Sequence, residues 1–191
     1  VERIHVGEPT VNRWHDPNQT YWAVELYDLT GDGRNEICWA QNDAPSEPNG
    51  FVACQEVGAE EPLWNFSLRL SVSFPNKPAV APETYKAHNL LVDDLNADGR
   101  PEVYVTTTHR PYFPSILLQL DATTGTEMGR YVHPGNTKIG PRAIDLEDDG
   151  IIMPVVEANI QDRGPARYDD LLVIEVRFQE PPPATSAATA R

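Results

Sequence analysis

Basic residues are scarce in this sequence. Its 191 residues include 15 Lys and Arg against 29 Asp and Glu, a formal net charge of −14. A surface with this charge repels a phosphate backbone, so nucleic-acid binding is not expected. No apolar run approaches the roughly 20 residues that a membrane-spanning helix needs, and no stretch has sustained helical periodicity. The chain starts at Val1 without a recognisable signal peptide, which suggests a product whose targeting segment has been removed.

Signatures of catalysis are also missing. There is no Gly-x-Ser-x-Gly motif, no glycine-rich phosphate loop and no paired-cysteine motif. The histidines are scattered, without the spacing of metal ligands, at His5, His15, His88, His109 and His133. We therefore expect a protein that is not an enzyme.

Cysteine is limited to Cys38 and Cys54, which lie in two apolar segments separated by turn-forming residues. A hairpin with its midpoint near Ser46 places the two cysteines opposite each other, which predicts a cross-strand disulfide. The alternative is a pair of buried free thiols. Two glycosylation sequons begin at Asn18 and Asn65. Together these features favour an extracellular or cell-surface location.

Three segments of the chain repeat one pattern, at 22–40, 88–107 and 141–158. Each has an apolar or alternating entry, then Asp-Leu, a polar loop with Asp-Gly, and an apolar exit, which is typical of strand, loop and strand. Further strands are predicted at 50–57, 62–68 and 169–178, and a hairpin is predicted at 115–132 with its turn at residues 121–125, which are rich in turn formers. The predicted class is all-β, with about three four-stranded antiparallel units.

These patterns divide the chain into an N-terminal arm, a repeat domain and a tail. The predicted bounds are 1–20 for the arm, 21–180 for the domain, with units at 21–69, 88–133 and 140–179, and 181–191 for the tail. Residues 70–87 are interpreted as a proline-rich connection. The tail is rich in Pro, Ser and Thr, which favours an extended conformation and permits O-glycosylation; the alternative is a disordered linker.

Oxygen-bearing side chains recur at positions 1, 3, 5 and 9 of the loops 28–36 and 94–102, with Gly at position 6. Ca²⁺ takes six to eight oxygen ligands, and a tightly curled loop lets alternate residues converge on one ion. Position 7 would contribute its carbonyl oxygen. The predicted ligands are Asp28, Thr30, Asp32, Arg34 and Glu36 in the first loop, and Asp94, Asn96, Asp98, Arg100 and Glu102 in the second.

The third loop, 145–153, departs from this pattern. Its candidate ligands are Asp145, Glu147, Asp149 and the carbonyl oxygen of Ile151. Position 9 is Met153, which supplies no hard ligand, and Asp148 offers a substitute carboxylate. We therefore expect two calcium sites, with a third that is weak, completed by water or empty.

The Asp-Leu-x-x-Asp-Gly loops, each between two strands, resemble the FG-GAP/VCBS repeats of integrin-α-type β-propellers. The resemblance covers roughly residues 20–178. It implies propeller blades in which a metal ion links the first two strands of each blade. Propellers have typically 4–8 blades, so three units imply an incomplete propeller.

We expect an extracellular calcium-binding module for assembly or adhesion, such as a subunit of a surface or secreted fibre. Three repeat units leave outer faces uncovered, which predicts self-association or an extracellular protein or glycan partner, through residues 1–20 and 170–191. The alternatives are a fragment of a larger secreted propeller protein, or a carbohydrate-binding module such as one attached to a polysaccharide-active enzyme. The candidate sugar-stacking residues are Trp14, Trp22, Trp39, Trp64, Tyr112 and Phe113, although packing on a strand face is the favoured interpretation for Trp22, Trp39 and Trp64.

Overall fold

Every element in the described part of the chain is a β-strand. The computed structural model describes residues 21–41, 50–72, 83–109, 114–133, 136–159 and 171–178. These strands form three open sheets in which all the ladders are antiparallel. The predicted all-β, antiparallel class is therefore confirmed.

The first sheet is a four-stranded meander in the order β1-β2-β3-β4. Its strands are β1 (Tyr21–Tyr27), β2 (Glu36–Gln41), β3 (Phe51–Glu56) and β4 (Trp64–Ser67). Cys38 lies directly opposite Cys54 on β2 and β3, both side chains are fully buried, and a disulfide joins them. The predicted disulfide is therefore confirmed.

The second sheet has the order β5-β6-β7-β8-β9. Its strands are β5 (Arg69–Leu70), β6 (Glu83–Asp93), β7 (Glu102–His109), β8 (Ser115–Asp121) and β9 (Glu127–His133). The β8–β9 connection is the predicted turn, where the Asp121 carboxylate accepts hydrogen bonds from the backbone N–H groups of Thr123 and Thr124, both at 2.9 Å.

The third sheet contains three strands in the described residues, in the order β10-β11-β12. They are β10 (Asn136–Ile144), β11 (Met153–Asn159) and β12 (Leu171–Glu175). Four strands per unit were predicted. That count holds for the first sheet, the second has the additional short β5, and the rest of the third unit lies outside the described residues.

Two predicted unit boundaries differ from the strands. β6 begins at Glu83, inside the segment 70–87 that was interpreted as a connection. Tyr85 and Ala87 are buried on β6, so the alternation of buried and less buried residues begins directly after the proline-rich segment. The prolines led to the interpretation of residues 83–87 as part of a connection. β10 begins at Asn136 rather than near residue 140, and the sequence alignment missed this start because β10 is irregular between Thr137 and Arg142.

The second sheet lies between the other two and is buried on both faces. On one face Val103, Val105 and Leu118 pack with Cys38 and Cys54 of the first sheet. On the other face Tyr104 and Leu117 pack with Val156 and Val176 of the third unit. A central position explains why nearly every residue of β7 and β8 is buried, including the three threonines of β7.

The contact between the first two sheets includes a fixed tryptophan. The Trp64 ring N–H donates a hydrogen bond of 2.8 Å to the carbonyl oxygen of Ala122, in the β8–β9 turn. The ring also lies against Gly125, where an added Cβ would be 2.5 Å from Trp64 Cδ2. Gly125 has φ of +69°, so both the backbone conformation and the close approach require glycine there.

Candidate metal-binding loops

The three acidic loops lie at equivalent places, each between the first and second long strands of its unit. The antiparallel register closes them in the same way, since position 9 always pairs with the residue just before position 1. These closing pairs are Tyr27 with Glu36, Asp93 with Glu102, and Ile144 with Met153. The three loops are therefore closed in the same register.

The Asp at position 1 organises the backbone of each loop. Its two carboxylate oxygens accept hydrogen bonds from the N–H groups at positions 5 and 6, over distances of 2.8 to 3.2 Å. The Asp at position 5 accepts a further hydrogen bond from the N–H at position 7, at 2.8 or 2.9 Å. A short side chain that bonds to nearby backbone N–H groups is a common way to stabilise a tight turn.

Two positions in every loop have a left-handed backbone. Position 6 is glycine throughout, and its φ is +83°, +85° and +83° at Gly33, Gly99 and Gly150. Position 4 also has positive φ, although its residue type changes from Gly31 to Ala97 and Asp148. The glycine at position 6 predicted a left-handed residue there. The left-handed conformation at position 4 was not predicted, because only the first loop has a glycine, Gly31, at that position.

Position 9 distinguishes the first two loops from the third. Glu36 and Glu102 are only 2% and 1% exposed, even though they close loops that are open to water. The Glu36 carboxylate accepts a 2.6 Å hydrogen bond from the Leu29 N–H, so it lies against the inner side of its loop. Met153 is half-buried at the equivalent position.

The surroundings of Glu102 are unfavourable for a carboxylate. Its Oε2 accepts a hydrogen bond of 3.1 Å from the Tyr104 hydroxyl, and its Oε1 lies 3.4 Å from the Asn96 amide nitrogen. Burial raises the pKa of Glu102 to about 7; the Tyr104 hydrogen bond opposes this rise, and the nearby Asp98 and Asp94 add to it. Within the described part of the chain, neither Glu102 nor Glu36 forms an ion pair with a basic side chain.

The acidic field extends from the second loop to the first. The pKa of Tyr27, which closes the first loop, is raised by burial and then by Asp93, Asp94 and Asp28. Carboxylates of both loops therefore act on one phenol, which places the two loops side by side at the same end of the first two sheets.

The predicted ligands are brought to the same loops, but they do not converge on one point. In the described residues, no group of three or more His, Cys, Asp or Glu side chains is arranged to hold a metal ion. Each position 1 Asp is directed toward backbone N–H groups, Thr30 is exposed, and Glu147 lies 3.9 Å from Arg177. The oxygens fit a hard cation by type. Asp28 Oδ1 accepts hydrogen bonds from both Gly31 and Asp32, whereas Asp28 Oδ2 accepts one from Gly33 and retains a lone pair.

The described aromatic candidates for sugar stacking are used for packing. Trp39 is 4% exposed and meets Phe51 edge to face, with ring centroids 6.4 Å apart. Trp64 is 8% exposed and packs on the second sheet as described above. The side chain of Trp22, together with Trp14, Tyr112 and Phe113, lies outside the described side chains.

The described histidines are distributed over the second sheet and belong to local contacts. His88 Nε2 lies 2.6 Å from the Thr108 hydroxyl oxygen, and the His109 ring packs 5.3 Å from that of Tyr85. His133 is buried, and burial lowers its pKa. His5 and His15 lie outside the described residues.

Of the two predicted glycosylation sites, the structure describes only the one at Asn65. Asn65 is exposed on β4, an edge strand of the first sheet, so its side chain is accessible. Asn18 lies outside the described residues, as do the arm 1–20 and the tail 181–191.

Comparisons with protein-family models, with curated protein sequences and with solved structures each found no match. The described residues contain no helix with the length and apolar character to cross a membrane. The disulfide is compatible with an extracellular location.

Proposed function

We propose that this chain is an extracellular calcium-stabilised β-repeat module, similar to the FG-GAP/VCBS repeats, that works in assembly or adhesion. The observation that carries the proposal is the burial of Glu36 and Glu102 at the closing position of two acidic loops. A buried carboxylate without a basic partner is costly to ionise. A divalent cation in each loop would supply the missing charge, because it would bind Glu36 or Glu102 together with the Asp residues at positions 1 and 5.

The same arrangement explains why the loops are rigidly repeated. Positions 1, 5 and 6 fix the backbone, so that the carbonyl oxygen of position 7 and the side chain of position 9 are presented from defined places. Calcium would join the start of the second strand to the end of the first. In this proposal the metal stabilises the module and has no catalytic role.

The assembly part of the proposal is supported by the outer face of the first sheet. Val24 and Leu26 on β1 are 52% and 47% exposed. By register they lie opposite Trp39 and Ile37 on β2, in line with the separate apolar cluster of that face. Apolar side chains in such a row favour contact with another surface at roughly 25 cal/mol per Å² buried.

Among the described apolar side chains of the third unit, Ile151 and Ile152 are about half exposed, whereas Val155, Val156 and Val176 are buried within the chain. Light scattering at high concentration, with calcium present, tests self-association. A monodisperse monomer would contradict the assembly part and leave the calcium part standing.

Calcium binding is tested by calorimetry and by thermal unfolding with calcium and with excess chelator. We expect two bound ions, and a rise of about 5–10 °C in Tm for each site held at 100 times its Kd. Asp98→Asn should remove one ion, because the amide keeps the oxygen that accepts the Arg100 N–H and loses only the charge.

Glu60→Gln, at an exposed position in the β3–β4 turn and outside the three loops, is the matched control and should leave both sites unchanged. If the wild-type protein binds no calcium at millimolar supply, and its Tm is the same in chelator, the proposal for both loops is wrong.

A further inference from the structure

A cleft of about 460 Å³ lies between the second sheet and the third unit. The backbone of the second loop forms one side, at residues 94–97, and the third loop forms the other, at residues 150–152. Its volume is within the roughly 300–1,000 Å³ of typical ligand sites. The cleft shares Asp94 and Asn96 with the proposed metal site of the second loop, and Met153 with the closing position of the third loop. Both Asp94 carboxylate oxygens accept backbone hydrogen bonds inside the second loop, so Asp93 is the acidic side chain left for a ligand of the cleft.

The walls of the cleft are mainly apolar and partly open to water. Met128, Ile151 and Ile152 line it and are 39%, 48% and 45% exposed. Deeper in the cleft, the Phe178 ring lies 6.1 Å from the ring of Tyr104, with an angle of 39° between their planes. Such a surface can bind the apolar stem of a long side chain and stack against a flat group.

The polar groups of the cleft are mainly acceptors. Its charged lining side chains are Asp93 and Asp94. Tyr104 donates its hydroxyl hydrogen to Glu102, and the Gln119 amide nitrogen donates to the Tyr104 oxygen, which leaves the Gln119 carbonyl oxygen as an acceptor. A ligand that carries several donors and a positive charge matches this set.

The charge of the two flanking loops points to the same ligand. Residues 93–102 and 145–153 together contain eight carboxylates and one basic residue, Arg100. Two divalent cations would neutralise four of these charges and still leave the acid in excess. The preference for a basic ligand therefore does not depend on whether the loops bind calcium.

We propose that this cleft binds a partner polypeptide through an arginine side chain flanked by apolar residues. The guanidinium group would interact with Asp93 and stack near Phe178, and the apolar neighbours would cover Met128 and Ile152. The strong acidity of the chain disfavours nucleic acid and anionic lipid as occupants, because both are repelled. It also disfavours a second copy of this chain, with its formal charge of −14, as the occupant of this acidic cleft; the self-association proposed above uses the uncharged Val24 and Leu26 of the first sheet.

The test is an NMR titration of the full isotope-labelled chain with the peptide acetyl-Leu-Arg-Leu-amide. We expect saturable shifts in backbone amides of residues 94–97, 128 and 150–152. The matched peptide with citrulline has the same shape without the charge, and the peptide with glycine flanks keeps the charge without the apolar contacts. Each of these two peptides should bind at least roughly fivefold more weakly than acetyl-Leu-Arg-Leu-amide.

Variants of the chain locate the binding. Met128→Ser and Ile152→Ser should each weaken it, whereas Val24→Ser, at a similarly exposed position on the first sheet, should not. Asp93→Asn should reduce binding of the arginine peptide toward the level of the citrulline peptide, and Glu60→Gln should have no effect. An unchanged amide spectrum outside the substituted region verifies that each variant is folded.

Equal binding of the citrulline and arginine peptides, shifts confined to another surface, or no saturable binding would each overturn the proposal. The titration is repeated with calcium and with chelator. Binding under both conditions supports the cleft independently of the metal. Calcium binding without peptide binding would refute the cleft and leave the proposed function intact.

Discussion

The second and third loops have the same backbone but different closing residues. Both use an Asp carboxylate at position 1 to bind the N–H groups at positions 5 and 6, and both have left-handed residues at positions 4 and 6. The second loop ends in the buried Glu102, whereas the third ends in Met153 at the same register position. The loop conformation therefore does not depend on position 9.

The largest expected effect comes from making the second loop like the third. Glu102→Met should weaken calcium binding at this loop on the order of a hundredfold, because ligand charge largely sets the affinity of such sites. Calorimetry would show one ion fewer at moderate calcium concentration. The first loop should be unaffected and serves as an internal reference. An unchanged stoichiometry would mean that Glu102 is not a ligand.

The reverse change should have a smaller effect. Met153→Glu places a carboxylate beside the Asp residues of the third loop, at the position that Glu102 has in the second. We expect calcium affinity at the third loop to rise roughly tenfold, less than the loss above because Glu147 at position 3 is longer than the Asn96 of the second loop. Met153→Gln is the control, since it supplies a neutral oxygen. Equal gains from both variants would show that charge is not the deciding factor.

The smallest effect concerns pH in chelator and comes from Glu102, the closing residue of the second loop. The folded pKa of Glu102 is about 7, above the usual 4.5, so the folded state holds this proton more tightly than the unfolded state. Its contribution is therefore fully present below pH 4.5 and is lost as the pH rises through about 7. Denaturant unfolding of wild type and Glu102→Gln between these values should show this loss in wild type alone.

Much of the fold was predictable because local patterns agree with the final pairing. The alternation around Cys38 and Cys54, with turn residues between them, was enough to place β2 against β3 in the correct register. The Asp and Gly residues at positions 1, 5 and 6 similarly predicted three equivalent loops. In each case the residues that carry the signal are also the residues that make the contacts.

Other features depend on contacts between distant segments, and no local pattern encodes them. Position 4 of the second loop is Ala97, which has no preference for positive φ, so the surrounding hydrogen bonds impose it. The cleft requires Phe178 to pack on Tyr104, residues that are separated by most of two repeat units. The burial of Glu102 likewise follows from the third unit covering the second sheet.

The contact of Trp64 with Gly125 has a consequence for protein engineering. Because the indole occupies the space above the turn, the first sheet cannot be exchanged for another repeat without redesign of residues 121–125. Chimeras that carry the first two sheets together preserve this fit. Chimeras that separate the two sheets would put a new side chain against Gly125 in place of Trp64. The smallest transferable part of this molecule is therefore the first two sheets together.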